Sequence, residues 1–155
     1  MSPLRSLLAL SASEQEQLLE TAYTMQVASI GRNGYPHLVA MFYAIVDGRI
    51  CFHTYPASQK IKNLNRNQKI TVMLEQGKMY SELRGLVVQG MAEVIEDQQF
   101  VGRVVLATAK KYFDFPASVA EPPEAMQDTA RKRVAVRVRP ASIYSWDHAK
   151  LTIAH

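Results

Sequence analysis

Between residues 133 and 139 the chain places Val134, Val136 and Val138 on one side of an extended backbone and Arg133, Arg137 and Arg139 on the other. That period of two predicts a half-buried strand. Near the start, Ser13-Glu14-Gln15-Glu16 has the spacing of a capping box, and Leu18, Leu19 and Ala22 give the helix that follows one apolar face. Residues 24–30 read as a strand that ends in Gly31-Arg32-Asn33-Gly34, whose Asn-Gly pair suits a tight hairpin. A second strand over 37–46 runs to another hairpin signal, Asp47-Gly48, and a third over 49–54 follows at once. The middle strand of this meander is apolar on both faces, with Leu38, Ala40 and Phe42 on one and Val39, Met41 and Tyr43 on the other. A small barrel covers only one of those faces, so a second copy of the chain is expected on the other.

Pro56 interrupts the pattern, and residues 58–66 then read as a short helix burying Ile61 and Leu64. Strands are predicted over 70–74 and 86–95, separated by a turn at Gly77, with Gly90 marking a bulge or a close backbone approach. Residues 98–112 have a helical pattern, and 113–123, with three prolines, read as a loop. The sum is an α+β chain, mainly β, of six antiparallel strands with flanking helices, closed as a barrel.

The 155 residues suit one domain, 1–155, with 1–12 as a possible arm. Cys51 is the lone cysteine, and no apolar run reaches the roughly 18 residues that a spanning helix needs, so a cytoplasmic protein without membrane attachment is expected. The net charge of +4 favours anionic partners in general. Basic residues do not cluster with aromatics in a recognisable module, so nucleic acid is not expected. The four histidines lack metal-ligand spacing, and neither a nucleophile elbow nor a G-x-G-x-x-G fingerprint occurs, so no metal, no catalytic triad and no Rossmann nucleotide site are expected.

One local segment carries chemistry. From Thr54 to Leu64 a strand end meets a helix N-terminus, where unbonded amides and the helix dipole favour an anion, and Ser58 and Lys60 add a hydroxyl and a cation. The competing reading is a solvated helix face made by Lys60, Lys62 and Arg66, and local sequence leaves both open.

Three further segments bear on that choice: Asn33-Gly34-Tyr35-Pro36-His37-Leu38, then Asp47 to Thr54, then Ser58-Gln59-Lys60 with Asn63-Leu64. In this order they resemble the pyridoxamine 5′-phosphate oxidase-like superfamily, and more closely its flavin/deazaflavin (coenzyme F420) oxidoreductase branch. Ser145-Trp146-Asp147-His148-Ala149-Lys150-Leu151 is similar to an ending found in that branch. The resemblance implies a homodimer of split β-barrels of the FMN-binding type, with FMN or coenzyme F420 at the subunit interface. It implies that Ala40, Met41 and Phe42 present backbone to the cofactor ring, that His53 and Thr54 line the site, and that Ser58, Gln59 and Lys60 hold the phosphate. Leu83, Arg84, Gly85 and Leu86 would flank the cofactor. Trp146 suits either interface packing or ring stacking.

The chain departs from the oxidases proper, which carry arginine where Gln59 stands and end in an arginine-rich segment, so vitamin B6 oxidation is not expected. No side chain is assigned a catalytic role, because the cofactor carries the hydride. Arg84, His53 and Tyr43 are the groups suited to polarise a substrate. The leading expectation is an F420- or FMN-dependent reductase of a small unsaturated or conjugated substrate. The rival is a non-catalytic binder of flavin, haem or a tetrapyrrole on the same fold.

Overall fold

Phe42 and Tyr43 break what reads as a single strand into two, and that break organises the molecule. The structure, a computed structural model, describes residues 3–152. Its elements are α1 (Pro3–Leu8), α2 (Ala12–Thr21), β1 (Met25–Ile30), β2 (Pro36–Met41), β3 (Ala44–Val46), β4 (Arg49–Thr54), α3 (Gln59–Arg66), β5 (Lys69–Gln76), a 3-10 turn (Tyr80–Glu82), β6 (Arg84–Ile95), α4 (Gln98–Tyr112), α5 (Glu124–Arg131), β7 (Val134–Asp147) and α6 (Ala149–Thr152). Seven strands, rather than the expected six, form one antiparallel sheet in the order β2-β1-β5-β6-β7-β4-β3. β2 and β3 are neighbours in sequence yet lie at opposite edges, so the sheet curls into a half-barrel whose edges are joined by Phe42-Tyr43.

Side-chain bonds outside the sheet cause the break. The Tyr43 amide donates to the Tyr112 hydroxyl at 3.3 Å instead of to a strand. Its own hydroxyl donates to the carbonyls of Leu19 at 2.6 Å and Ala22 at 3.1 Å, at the end of α2. Both bonds draw the residue into the interior, where it is fully buried.

Inside the curl, Met25 and Val27 of β1, Phe52 of β4, Val72 and Leu74 of β5 and Leu86 and Val88 of β6 share one core with Val136 and Val138 of β7. Leu18 and Ala22 close it from α2, and Ile61 and Leu64 from α3. Each such side chain contributes about 1.5–3 kcal/mol through burial. A second core lies outside the sheet, where Val101, Val104 and Val105 of α4 and Ala130 of α5 cover Cys51 and Ala135.

Several expectations shift in register. The capping box is made by Ser11 and Glu14: the Glu14 amide donates to Ser11 Oγ, and the Ser11 amide donates to Glu14 Oε2 at 2.7 Å. Ser13 sits two residues into the helix instead. The described part of the expected arm includes α1, and Leu10 beyond it is buried with its amide donating to Ser145 Oγ. Residues 1 and 2 lie outside the described part. The final strand continues past residue 139 to Asp147 along nearly all of β6, and α5 was not expected. The bulge at Gly90 is present as a register shift between Gln89 and Gly90, opposite Ser142 and Pro140. No described helix is long and apolar enough to cross a membrane.

Candidate functional site

β4 ends on the buried Thr54, which pairs across the ladder with Val134. The chain then turns through Pro56 and enters α3 at the N-cap residue Ser58. A serine at this position ordinarily bonds an amide of the first turn. Here Ser58 Oγ makes no cap bond and is buried without a partner. The first backbone bonds to Ser58 come from Ile61 at 3.1 Å and Lys62 at 3.2 Å, so the amides of Gln59 and Lys60 precede the bonded part of the helix.

Lys60 reaches back from α3, and its ammonium donates to Thr54 Oγ1 at 3.2 Å. Burial holds that ammonium below the ordinary lysine value. Gln59 turns away: its Nε2 donates to Asn63 Oδ1 at 2.9 Å, and Asn63 in turn donates to Ser29 Oγ at 3.1 Å. This residue pins α3 to β1 through the fully buried Asn63, which is a structural use of the position.

His53 lies one residue before Thr54 on the opposite face of β4. Its Nδ1 is buried with no partner. Burial, and after it the nearby positive charge of Arg133, pulls its pKa down to about 4, so the imidazole is neutral at pH 7. Arg133, which the sequence reading placed only on a polar strand face, lays its guanidinium over the Tyr55 ring at 3.4 Å, and its Nε is also buried without a partner. Three of the four orphaned buried polar atoms among the described residues thus belong to the end of β4, the start of α3 and the residue before β7, on His53, Ser58 and Arg133; the fourth is His37 Nδ1.

Beside this corner lies an open pocket of about 440 Å³, to which β2 and the residue after it contribute Ala40, Met41 and Phe42, β4 contributes His53, and the end of α4 contributes Thr108 and Phe113. Aromatic rings form its wall. Phe42 stacks on Tyr112 with centroids 4.0 Å apart, Tyr23 meets both rings edge-on, and Phe113 meets Phe42 edge-on. Among the expected site residues, Ala40, Met41, Phe42 and His53 therefore meet in one pocket, with Thr54, Ser58 and Lys60 at the adjoining corner.

The remaining ones stand elsewhere. Met41, Met25, Leu74 and Leu86 lie on successive rungs of β2, β1, β5 and β6, which places Leu86 three strand spacings from Met41, about 14 Å at ~4.8 Å each. The Arg84 guanidinium donates to Gln76 Oε1 at 2.6 and 3.0 Å, and the Leu83 carbonyl accepts the His148 amide. Gly85 lies beneath the Trp146 indole, where no Cβ would fit. Leu86 faces the core. Tyr43 is likewise committed to the core, and burial pushes its phenol well above the usual tyrosine range.

His53 supplies a test of this geometry. Its pKa is lower in the fold than the ordinary 6.5, so as pH falls from about 6.5 to 4 the unfolded chain binds the proton first. Stability due to neutral His53 is present above that window and is lost on descending through it. Urea unfolding between pH 7 and pH 4 is expected to show up to about one more proton taken up on unfolding by the wild type than by His53→Gln. Equal slopes for the two proteins would mean that His53 is solvated.

Comparison with known proteins agrees with the fold. Residues 11–147 match the pyridoxamine 5′-phosphate oxidase family. A conserved hypothetical protein from Mycobacterium tuberculosis superposes with a TM-score of 0.90 at 34% identity, over 97% of this chain and 93% of that one. A structure described as an F420 reductase superposes with a TM-score of 0.62 at 27% identity, over 83% of this chain and 94% of that one. The haem storage protein of Vibrio cholerae has the same fold at 13% identity and a TM-score of 0.67, over 89% of this chain and 97% of that one. No curated protein sequence matches the chain. With the family match spanning both cores and the β4–α3 corner, the chain belongs to the pyridoxamine 5′-phosphate oxidase family.

Proposed function

We propose that the protein is a cytoplasmic F420- or FMN-dependent reductase that works as a homodimer on a small unsaturated or conjugated substrate. The observation that carries this reading is the β4–α3 corner, where Ser58 Oγ, His53 Nδ1 and Arg133 Nε are buried and unpartnered next to an aromatic-walled pocket. A buried polar atom without a partner costs about 1–3 kcal/mol, and an anionic ligand that accepts from the Ser58 hydroxyl removes that cost. The corner fits a cofactor phosphate: the free amides of α3, the Ser58 hydroxyl and the Lys60 ammonium supply donors of the required kind.

Ala40, Met41 and Phe42 would then line the ring, with neutral His53 beside it as a hydrogen-bonding group that adds no charge. The bound cofactor supplies the hydride transfer. This chain's residues bind, orient and exclude water, with the rings of Phe42, Tyr112 and Phe113 shielding one side. The F420 reductase among the similar structures favours the deazaflavin branch, and the Gln59 bond to Asn63 speaks against the family's eponymous oxidation.

The homodimer rests on the outer face of β2, where Leu38 is 65% exposed and Ala40 is exposed beside it. A two-fold partner would cover this surface. Titration with FMN and with F420, followed by fluorescence, is expected to saturate below about 100 μM for at least one of them, an interaction stronger than about −5 kcal/mol. Light scattering is expected to give twice the chain mass. Silence with both cofactors, or a stable monomer, would sink the proposal.

A further inference from the structure

We propose that Lys111 is a positioning residue of the candidate pocket: by tying the last carbonyls of α2 to Tyr43, it holds the Phe42–Tyr112 ring pair where that pair walls the pocket. The inference rests on the reading above that the pocket receives a cofactor ring.

Helix α2 ends without a glycine cap. Its C-cap residue, Ala22, is extended, and the Ala22 amide donates to the Leu18 carbonyl, which leaves the later carbonyls of the last turn without partners inside the helix. Two side chains from elsewhere supply the donors. The Tyr43 hydroxyl donates to the carbonyls of Leu19 at 2.6 Å and Ala22 at 3.1 Å, and the Lys111 ammonium donates to those of Glu20 at 2.6 Å and Leu19 at 3.3 Å. A third bond from Lys111 reaches the Tyr43 hydroxyl at 3.4 Å. The ammonium thus spends its protons on α2 and Tyr43, and it pairs with no carboxylate among the described residues.

The same ammonium lies over two rings, 4.5 Å from the Tyr43 centroid and 5.6 Å from the Tyr112 centroid. From there an unbroken set of contacts leads to the pocket. The Tyr112 hydroxyl accepts the Tyr43 amide at 3.3 Å, the Tyr112 ring stacks on Phe42 with centroids 4.0 Å apart, and Tyr23, just past α2, meets both rings edge-on. Phe42 lines the pocket together with Phe113. Because Phe42 precedes Tyr43 directly, whatever pins Tyr43 also sets where the Phe42 ring can stand.

The neighbouring lysine gives the contrast. Lys110 belongs to the same last turn of α4, but its ammonium donates only to the Ala117 carbonyl, at 3.1 Å and in an exposed position. The competing role for Lys111, a cap for α2 and nothing more, accounts for its carbonyl bonds. It does not require the ammonium to bond the Tyr43 hydroxyl or to lie against the two tyrosine rings that carry the wall.

Affinities for FMN and F420 are to be measured by fluorescence titration for the wild type, Lys111→Met, Phe42→Ala and the double variant, at a temperature where thermal melting shows each to be folded. Should Lys111→Met melt too low, Lys111→Gln takes its place. Lys111→Met is expected to weaken the cofactor that the wild type binds by about 2- to 10-fold, the scale of one aromatic contact, and to add no further loss once Phe42 is alanine. Lys111→Arg, which keeps the charge and the donors, is expected to retain most of the affinity, and Lys110→Met all of it. In proton NMR of the ligand-free protein, the Phe42 ring signals, shifted by the stacked Tyr112, are expected to move toward ordinary positions in Lys111→Met and to stay in place in Lys110→Met. A lowered melting temperature with unchanged affinity and unchanged ring signals would leave Lys111 a helix cap alone. Losses that add in the double variant would mean that it does not act through Phe42, and either result overturns the inference. A wild type that binds neither cofactor would overturn the reading of the pocket, while the ring signals would still decide whether Lys111 places the wall.

Discussion

Lys60→Ala is expected to weaken FMN or F420 binding by about 10- to 150-fold, because it deletes a charge-assisted hydrogen bond worth ~1.5–3 kcal/mol at the centre of the corner. The folded chain should scarcely register the change. Lys60 bonds only Thr54 Oγ1, a contact that leaves a small hydroxyl to be satisfied by water at the strand end. Lys62 is the internal control: it is exposed and two residues further along α3, turned roughly 200° about a helix of about 3.6 residues per turn. Fluorescence titration of Lys60→Ala and Lys62→Ala with both cofactors decides the matter. Equal and small losses would make Lys60 part of a solvated helix face, the reading that local sequence leaves open.

Gly90→Ala is expected to be the most destabilising single-methyl insertion in the sheet, at about 3 kcal/mol or more, the upper part of the range for overpacking. A Cβ at this position would come far inside van der Waals contact with the Arg139 carbonyl oxygen, with Pro140 Cα close behind. Both obstacles are backbone, and both belong to the bulge at which β7 shifts register against β6. Relief therefore needs the two longest strands to separate locally. Urea unfolding should show a lower midpoint with an unchanged slope. A loss below about 1 kcal/mol would mean that the bulge yields more freely than its geometry indicates.

Gly90 also shows what was legible in the sequence. A glycine inside a strand pattern pointed to a bulge or a close approach, and both are present there. The hairpin turn at Asp47-Gly48 was equally legible, since both residues adopt positive φ, whereas at Asn33-Gly34 the glycine alone does so, within a longer loop over 31–35. By contrast, the break at Phe42-Tyr43 is invisible to periodicity, because the apolar run passes straight through it. Its cause is tertiary, the bonds from Tyr43 to the α2 carbonyls and to Tyr112. The capping box was displaced because the segment contains two overlapping S-x-x-E spacings, and only packing distinguishes Ser11 from Ser13. β7 outran its predicted end because Pro140 and the polar residues after it interrupt the alternation, while the bulge carries the strand past them.

At the candidate site, the stretch from His53 to Lys60 was readable because it is continuous in the chain. Arg133 was not, since its membership depends on one rung, Thr54 opposite Val134, that joins distant segments. Its two companions on the polar face, Arg137 and Arg139, have an ordinary use in pairing with Glu93. The pocket residues Thr108 and Phe113 were missed for a similar reason: each falls within or at the end of a helix whose pattern speaks only of burial.

The position of β7 between β6 and β4 also governs how the chain is made. A ribosome releases β3 and β4 long before the strand they join, with Thr54 lying 80 residues ahead of its ladder partner Val134. At about 5–20 residues per second, the β3–β4 hairpin waits roughly 4–16 s for its neighbour. During that interval one edge of β4 offers unpaired amides and carbonyls, the kind of edge through which nascent chains associate. Helix α4 is synthesised in the meantime, and its Val101 and Val104 pack against Cys51 on that hairpin. The helix that borders the candidate pocket thus covers the outer face of the hairpin before β7 arrives, and the half-barrel stays open by one strand's width until the last ladder forms.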